Sequence, residues 1–204
     1  MMHQFDKAYW DDHWTPAAAD DDRILPVNPY LRAETKDLAP GTALDAGCGI
    51  GTETIWLAEQ GWQVTGADIS ATALATAAGR AVVAGVDDRI EWVEADLARW
   101  RPDRSWDLVV TSYAHSDTGQ LAFYGHIASW VAPGGTLLII GHLHDHGNGH
   151  GHPENATATR AGITDLLTLP DWRIDASYEN TRTVRSGSRA RQLHDVIVRA
   201  HRTV

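Results

Sequence analysis

The chain has 204 residues, 17 Lys+Arg against 27 Asp+Glu, and a single cysteine. That length suits one domain with a sizeable core, and the lone Cys48 excludes an internal disulfide and fits a reducing, cytoplasmic setting. Charge is uneven, with 9 basic residues against 22 acidic over 1–159 and 8 against 5 over 160–204, so a nucleic-acid backbone is not the expected partner. Nor is a membrane. Met1 to Lys7 lacks the basic start and apolar stretch of a signal peptide, and the longest aliphatic run, Leu137 to Ile140, is too short to cross a bilayer.

In chain order, FDKAYWDDHW opens the sequence, with Tyr9, Trp10, His13 and Trp14 spaced along one side of a short helix. The acidic triplet Asp20 to Asp22 reads as a solvated loop. Pro29 to Leu38 reads as a helix with Asn28 as its cap, and Pro40-Gly41 ends it. Ala43 and Leu44 lead a buried strand to Asp45, and Gly47, Gly49 and Gly51 alternate before a helix that opens at Thr52. Such a βα unit brings backbone close to a ligand and turns the free N–H groups of a helix start towards it. The dinucleotide pattern G-x-G-x-x-G fails, because its last position falls on Thr52 or Thr54. Cys48 sits in this loop because its glycine neighbours shape it, and no thiol chemistry is needed to explain the position. A second strand, Trp62 to Ala67, ends on Asp68, whose two oxygens suit the paired hydroxyls of a ribose, with Ile69 beside it. Ser70 caps an alanine-rich helix that Gly85 closes.

Ile90 to Val93 is a third strand, followed by Glu94-Ala95-Asp96-Leu97. Taken alone, Asp96 reads as a helix-capping aspartate. Trp106 to Thr111 is a fourth strand, apolar enough to be covered on both faces, and its exit, Ser112-Tyr113-Ala114-His115, lies where open α/β sheets bind ligands. A helix over Asp117 to Val131, a turn at Ala132-Pro133-Gly134-Gly135 and a fifth strand over Thr136 to Gly141 follow. His142 to His152 holds five of the eleven histidines, but its glycines and spacing favour a mobile polar loop over a zinc or nickel site, so no metal is expected. After a short helix over Thr164 to Leu169, Trp172 to Val184 and Gln192 to Ala200 read as a hairpin joined through Ser186-Gly187-Ser188. Arg182, Arg185, Arg189 and Arg191 read either as an anion patch or, the favoured reading, as solvated faces and turn of that hairpin.

The pattern D-x-G-x-G-x-G at Asp45 to Gly51, then Asp68, Asp96-Leu97, the Pro-Gly-Gly turn and the closing hairpin resemble the class I S-adenosylmethionine (SAM) methyltransferases. The small core and aromatic N-terminus are similar to the small bacterial thiopurine and tellurite-resistance types. The resemblance implies an α/β, Rossmann-like, doubly wound, mostly parallel sheet of seven strands in the order 3-2-1-4-5-7-6, ending in an antiparallel hairpin. Residues 1–40 are then a helical lid on a core of 41–204. It implies SAM held by Asp45, Gly47, Cys48, Gly49, Gly51, Asp68, Ile69, Asp96, Leu97, Ser112 and Trp14, with the lid aromatics facing the sulfonium. A small-molecule O, N or S nucleophile would take the methyl group, His115 and His142 being the candidate bases. TSYAH at Thr111 to His115 differs from the signature of methyltransferases acting on the amino groups of DNA bases. The competing readings are a nicotinamide-dependent oxidoreductase and a non-catalytic SAM- or metal-binding module.

Overall fold

The computed structural model describes residues 5–14, 26–143, 156–168, 170–186 and 189–204. The Asp20–Asp22 triplet, the histidine run from His144 to His152 and Gly187-Ser188 lie outside the described residues. Seven strands form one sheet: β1 (Thr42–Ala46), β2 (Gln63–Asp68), β3 (Ile90–Glu94), β4 (Trp106–Ser112), β5 (Val131–His142), β6 (Trp172–Ser186) and β7 (Arg189–Arg202). Their order is β3-β2-β1-β4-β5-β7-β6. The first five run parallel and β7 pairs antiparallel with both β5 and β6, as expected from the sequence.

Apolar runs make the central strands, because both of their faces are covered. Leu108, Val109 and Val110 are each 0 % exposed. On one face, side chains of α2 (Pro29–Thr35), α3 (Thr52–Glu59) and α4 (Ala71–Ala84) pack against Leu108, Val110, Leu138 and Ile140. On the other, α5 (Gln120–Ala128) and α6 (Arg160–Leu166) pack against Val109, Leu137 and Ile139. The expected caps operate: Asn28 accepts from the Tyr30 amide and Ser70 from the Ala73 amide, and Gly85 closes α4 in the left-handed region. The N-terminal helix α1 (Lys7–His13) has no buried residue, so it belongs to neither core.

Boundaries move where turn chemistry intervenes. The helix expected over 117–131 spans only Gln120–Ala128, because Gly119 (φ 86°) starts it and Val131 already pairs with Trp106 in β5. The Pro-Gly-Gly turn is therefore a bulge inside β5: the next pair is Leu108 with Thr136. The helix expected to run to Leu38 ends at Thr35, and the Leu38 amide closes a tight turn onto the Thr35 carbonyl. The one expected over 164–169 starts earlier, at Arg160, because the Thr159 hydroxyl accepts from the Gly162 amide. Among the described residues, no helix is long and apolar enough to cross a membrane, and no group of three His, Cys, Asp or Glu is placed to hold a metal ion.

Candidate active site

Where β1 ends, three glycines turn the chain through the left-handed region, with φ of 83° at Gly47, 52° at Gly49 and 78° at Gly51. The turn is anchored from below, since the amides of Gly47 and Cys48 both donate to the Ala67 carbonyl, at 2.8 and 3.1 Å. Nothing larger than glycine fits at 47, where a Cβ would lie 2.3 Å from that of Ala114 on the β4 exit. At Gly49 a Cβ would lie 3.1 Å from the Trp14 ring, so Trp14 packs directly on the loop. Asp68 ties the loop to the next strand. Its Oδ2 accepts the Gly49 amide at 2.8 Å and its Oδ1 the Ser70 amide at 2.9 Å, leaving lone pairs for a ligand's hydroxyls.

Above this loop, at the carboxyl edge of the sheet, lies a cavity of about 990 Å³. Of the residues expected at a cofactor site, Gly47, Cys48, Gly49, Asp68 and Ile69 line its first half. Asp96, Leu97, Ser112 and Trp14 line it too, as do His115 and His142. Asp45 and Gly51 do not. Gly51 caps α3, and Asp45 stands behind the loop, 1 % exposed, accepting a 2.6 Å hydrogen bond from the Thr54 hydroxyl. Burial, with Glu53 adding repulsion, pushes the Asp45 carboxyl up to about 7. Burial likewise pushes the Cys48 thiol up, which keeps it out of the thiolate form. Asp96 both faces the cavity and caps a turn: its Oδ1 accepts the Ala98 amide, and its Oδ2 pairs with Arg99.

A ladder of rings lines the cavity at the exits of β4 and β5. Tyr113 and His142 stack with centroids 4.5 Å apart, and His142 and His115 with centroids 5.6 Å apart. The ladder continues into the N-terminal segment through Phe5, 5.2 Å from His115, and Trp10, 6.3 Å away. Polar contacts dock α1 as well: Lys7 donates to the Ile69 carbonyl and pairs with Glu94, while the Ser70 hydroxyl donates to Asp11.

Glu53, Tyr113 and Asp195 stand at the site without having been expected there, and Arg182 joins them. Glu53 lines the cavity beside the loop, its Oε1 accepting the Asn28 amide, and burial raises its pKa. Tyr113 is the one non-glycine residue with positive φ (57°) among those described. Its hydroxyl donates to Asp195 Oδ1 at 2.8 Å, while Asp195 Oδ2 accepts from the Tyr30 hydroxyl and from Arg182 Nε. Arg182 is therefore not a solvated hairpin arginine: it lines the cavity with its side chain 21 % exposed. The signal available was Asp195 itself, a charge inside the apolar run of β7.

The sheet order, the glycine turn and the cavity at the strand ends define a Rossmann-like ligand-binding domain of the methyltransferase kind. Residues 43–135 match the family described as "Methyltransferase domain". The chain is 33 % identical over 100 residues to thiocyanate methyltransferase 1 of Arabidopsis thaliana, covering 49 % of this chain and 43 % of that protein. It is 32 % identical over 109 residues to ribosomal RNA small subunit methyltransferase C of Alcanivorax borkumensis, covering 50 % and 33 %. The chain thus spans less than half the length of these two curated relatives. Magnesium protoporphyrin IX methyltransferase from Synechocystis PCC 6803, solved with bound S-adenosylhomocysteine (SAH), shares the fold. Its TM-score is 0.69 at 20 % identity, over 96 % of this chain and 99 % of that one.

The residues present fit SAM. The glycine turn beside the cavity has no room for a side chain at 47, and the buried Ser112 Oγ at the cavity wall has no hydrogen-bond partner among the described residues. Acidic side chains outnumber basic ones around the cavity, which suits a cationic ligand.

Proposed function

We propose that this protein transfers the methyl group of SAM to a small-molecule acceptor. The observation that carries the proposal is a single cavity joining the glycine loop, Asp68 and the Asp96-Leu97 pair to a second wall of Tyr113, His115 and His142. In this reading the Gly47-Cys48-Gly49 turn holds the amino-acid end, with Glu53 beside it for the ammonium. Asp68 takes the ribose hydroxyls, and Ile69, Asp96 and Leu97 take the base. Asp45 and Gly51 act from behind by fixing the turn. SAM supplies a methyl carbon made electrophilic by its sulfonium; the S–CH3 electron pair stays on sulfur as the acceptor's lone pair forms the new bond. The protein's part is to align the two atoms and keep water out. Trp10, Trp14 and Phe5 on and beside α1 do the latter, and their faces favour a cation.

An acceptor hydroxyl or amine must also lose a proton, and His115 and His142, both in the cavity wall, are the candidate bases. Tyr113 is excluded from that role, because burial raises its phenol well above the ordinary range. The acidic surface speaks for a small acceptor over nucleic acid, although one relative is named for ribosomal RNA. The buried free Cys48 suits the cytoplasm.

Calorimetric titration with SAH and with NADH tests the assignment, followed by labelled SAM with a panel of small acceptors. Binding of SAH and label transfer are expected. Binding of NADH alone would reverse the assignment.

A further inference from the structure

Arg182 and its surroundings form a built site that methyl transfer itself does not call for. Asp195, 0 % exposed, accepts three hydrogen bonds: from the Tyr30 hydroxyl at 3.0 Å, the Tyr113 hydroxyl at 2.8 Å and Arg182 Nε at 2.9 Å. Arg182 Nη2 donates to the Tyr113 hydroxyl at 3.0 Å. The guanidinium carbon lies 5.7 and 5.9 Å from the ring centroids of Tyr30 and Tyr113. The guanidinium plane is thus held by two hydrogen bonds and two ring faces. A side chain with this much rotamer freedom is not fixed in a cavity wall without a large entropic cost.

From this clamp we infer that the methyl acceptor is a small molecule carrying a carboxylate or similar planar oxyanion, which Arg182 anchors. The inference rests on the methyltransferase reading and names the acceptor class for the same cavity. Guanidinium has five N–H donors and cannot lose its charge at working pH. Nε and one Nη2 donor are committed to Asp195 and Tyr113, and among the described residues Nη1 makes no hydrogen bond. The donors that remain are the end-on pair, the geometry that takes two oxygens of one oxyanion in parallel.

The surrounding charges set the orientation. Asp195 balances Arg182 from inside the sheet, and Glu53, also in the cavity wall, interacts with Arg182 across it. Glu53 disfavours a further anion on its own side of the cavity, while the open edge of the Arg182 guanidinium attracts one. An acceptor anchored there lies against the Tyr113–His142–His115 ladder, beside the candidate bases. Asp195 is a positioning residue in this arrangement, since it acts through Arg182 and Tyr113.

The test uses the full chain saturated with SAH, titrated with 4-mercaptobenzoate and with its uncharged congener 4-mercaptobenzamide, following heat or tryptophan fluorescence. Wild type is expected to favour the benzoate by about 10–100-fold, the range for a charge-assisted pair. Arg182→Met should erase that preference while SAH affinity stays unchanged, and Arg182→Lys should recover only part of it, because an ammonium lacks the fork. Equal binding of the two probes, no binding of either, or a preference that survives Arg182→Met overturns the inference and leaves the methyltransferase reading standing. Loss of SAH binding in wild type sinks the methyltransferase reading itself.

Discussion

At the scale of single residues, Gly47 carries the sharpest constraint. Its φ of 83° disfavours any side chain, and a Cβ would sit 2.3 Å from that of Ala114, so strain and collision add. Gly47→Ala should weaken SAH binding by at least about 30-fold, since roughly 2 kcal/mol of strain and overpacking falls on the binding loop. Calorimetry reads the affinity, and unchanged far-UV circular dichroism shows that the sheet has survived. Asp68→Asn tests the strap between β1 and β2. The amide leaves one of the two donors, Gly49 or Ser70, facing an N–H instead of an oxygen. A drop in SAH affinity of about 10–100-fold is expected, matching the 1.5–3 kcal/mol typical of hydrogen bonds to charged groups. The alternating glycines were legible because glycine is the residue that a left-handed turn selects. The neighbours that make them irreplaceable were not, because Ala114 and Trp14 reach the loop only through the fold.

Elements were legible where periodicity and cap agree, as in the alanine-rich α4 between Ser70 and Gly85, and in the apolar β4. They were misjudged where a bulge intervenes: the Pro-Gly-Gly stretch of β5 looks like a turn because it interrupts one pairing without ending the strand. Arg182 was misjudged for a related reason. A strand residue's partner is set by the register of the hairpin, and that register sends Arg182 to the fully buried Asp195, a contact no local pattern reveals. The helix α1 gives an element-scale prediction. With no buried residue of its own, it rests on Lys7 and Asp11, whose ion pairs are largely exposed, and on rings facing the cavity. Exposed pairs contribute about 0–1 kcal/mol. Lys7→Ala with Asp11→Ala should therefore leave the melting temperature within about 2–3 °C of wild type. The same double variant should weaken SAH binding about 3–10-fold, mainly through faster release as the lid opens. Stopped-flow dissociation and thermal melts measure the two separately; a large loss of stability with unchanged release would make α1 a structural helix instead of a lid.

Across the whole molecule, the acidic balance is concentrated where it costs stability. Asp45, Glu53 and Asp68 stand together around the glycine turn, and burial raises the pKa of each. Asp45 sets the window. Its carboxyl lies near 3.8 in the unfolded chain and is pushed up to about 7 in the fold. Below the lower value both states are protonated and no stability is lost. Between the two values the folded protein keeps a proton that the unfolded chain has released, so stability falls as pH rises, and the loss is complete above the upper value. For Asp45 alone this amounts to about 2–4 kcal/mol, or roughly 5–10 °C in melting temperature between pH 5 and pH 8. The lowered carboxyls of Asp11 and Asp175 run the other way, but both are solvent-screened and contribute little. Asp45→Asn keeps an oxygen for the Thr54 hydroxyl and removes the titration, so melts of the ligand-free variant from pH 5 to pH 8 should be flatter than those of wild type. A cationic ligand offsets the same repulsion, so the stabilisation that SAM gives wild type should grow over that range and grow less in the variant. Parallel curves for the two proteins would mean that Asp45 is ionised throughout and that the charge behind the glycine loop is already balanced within the fold.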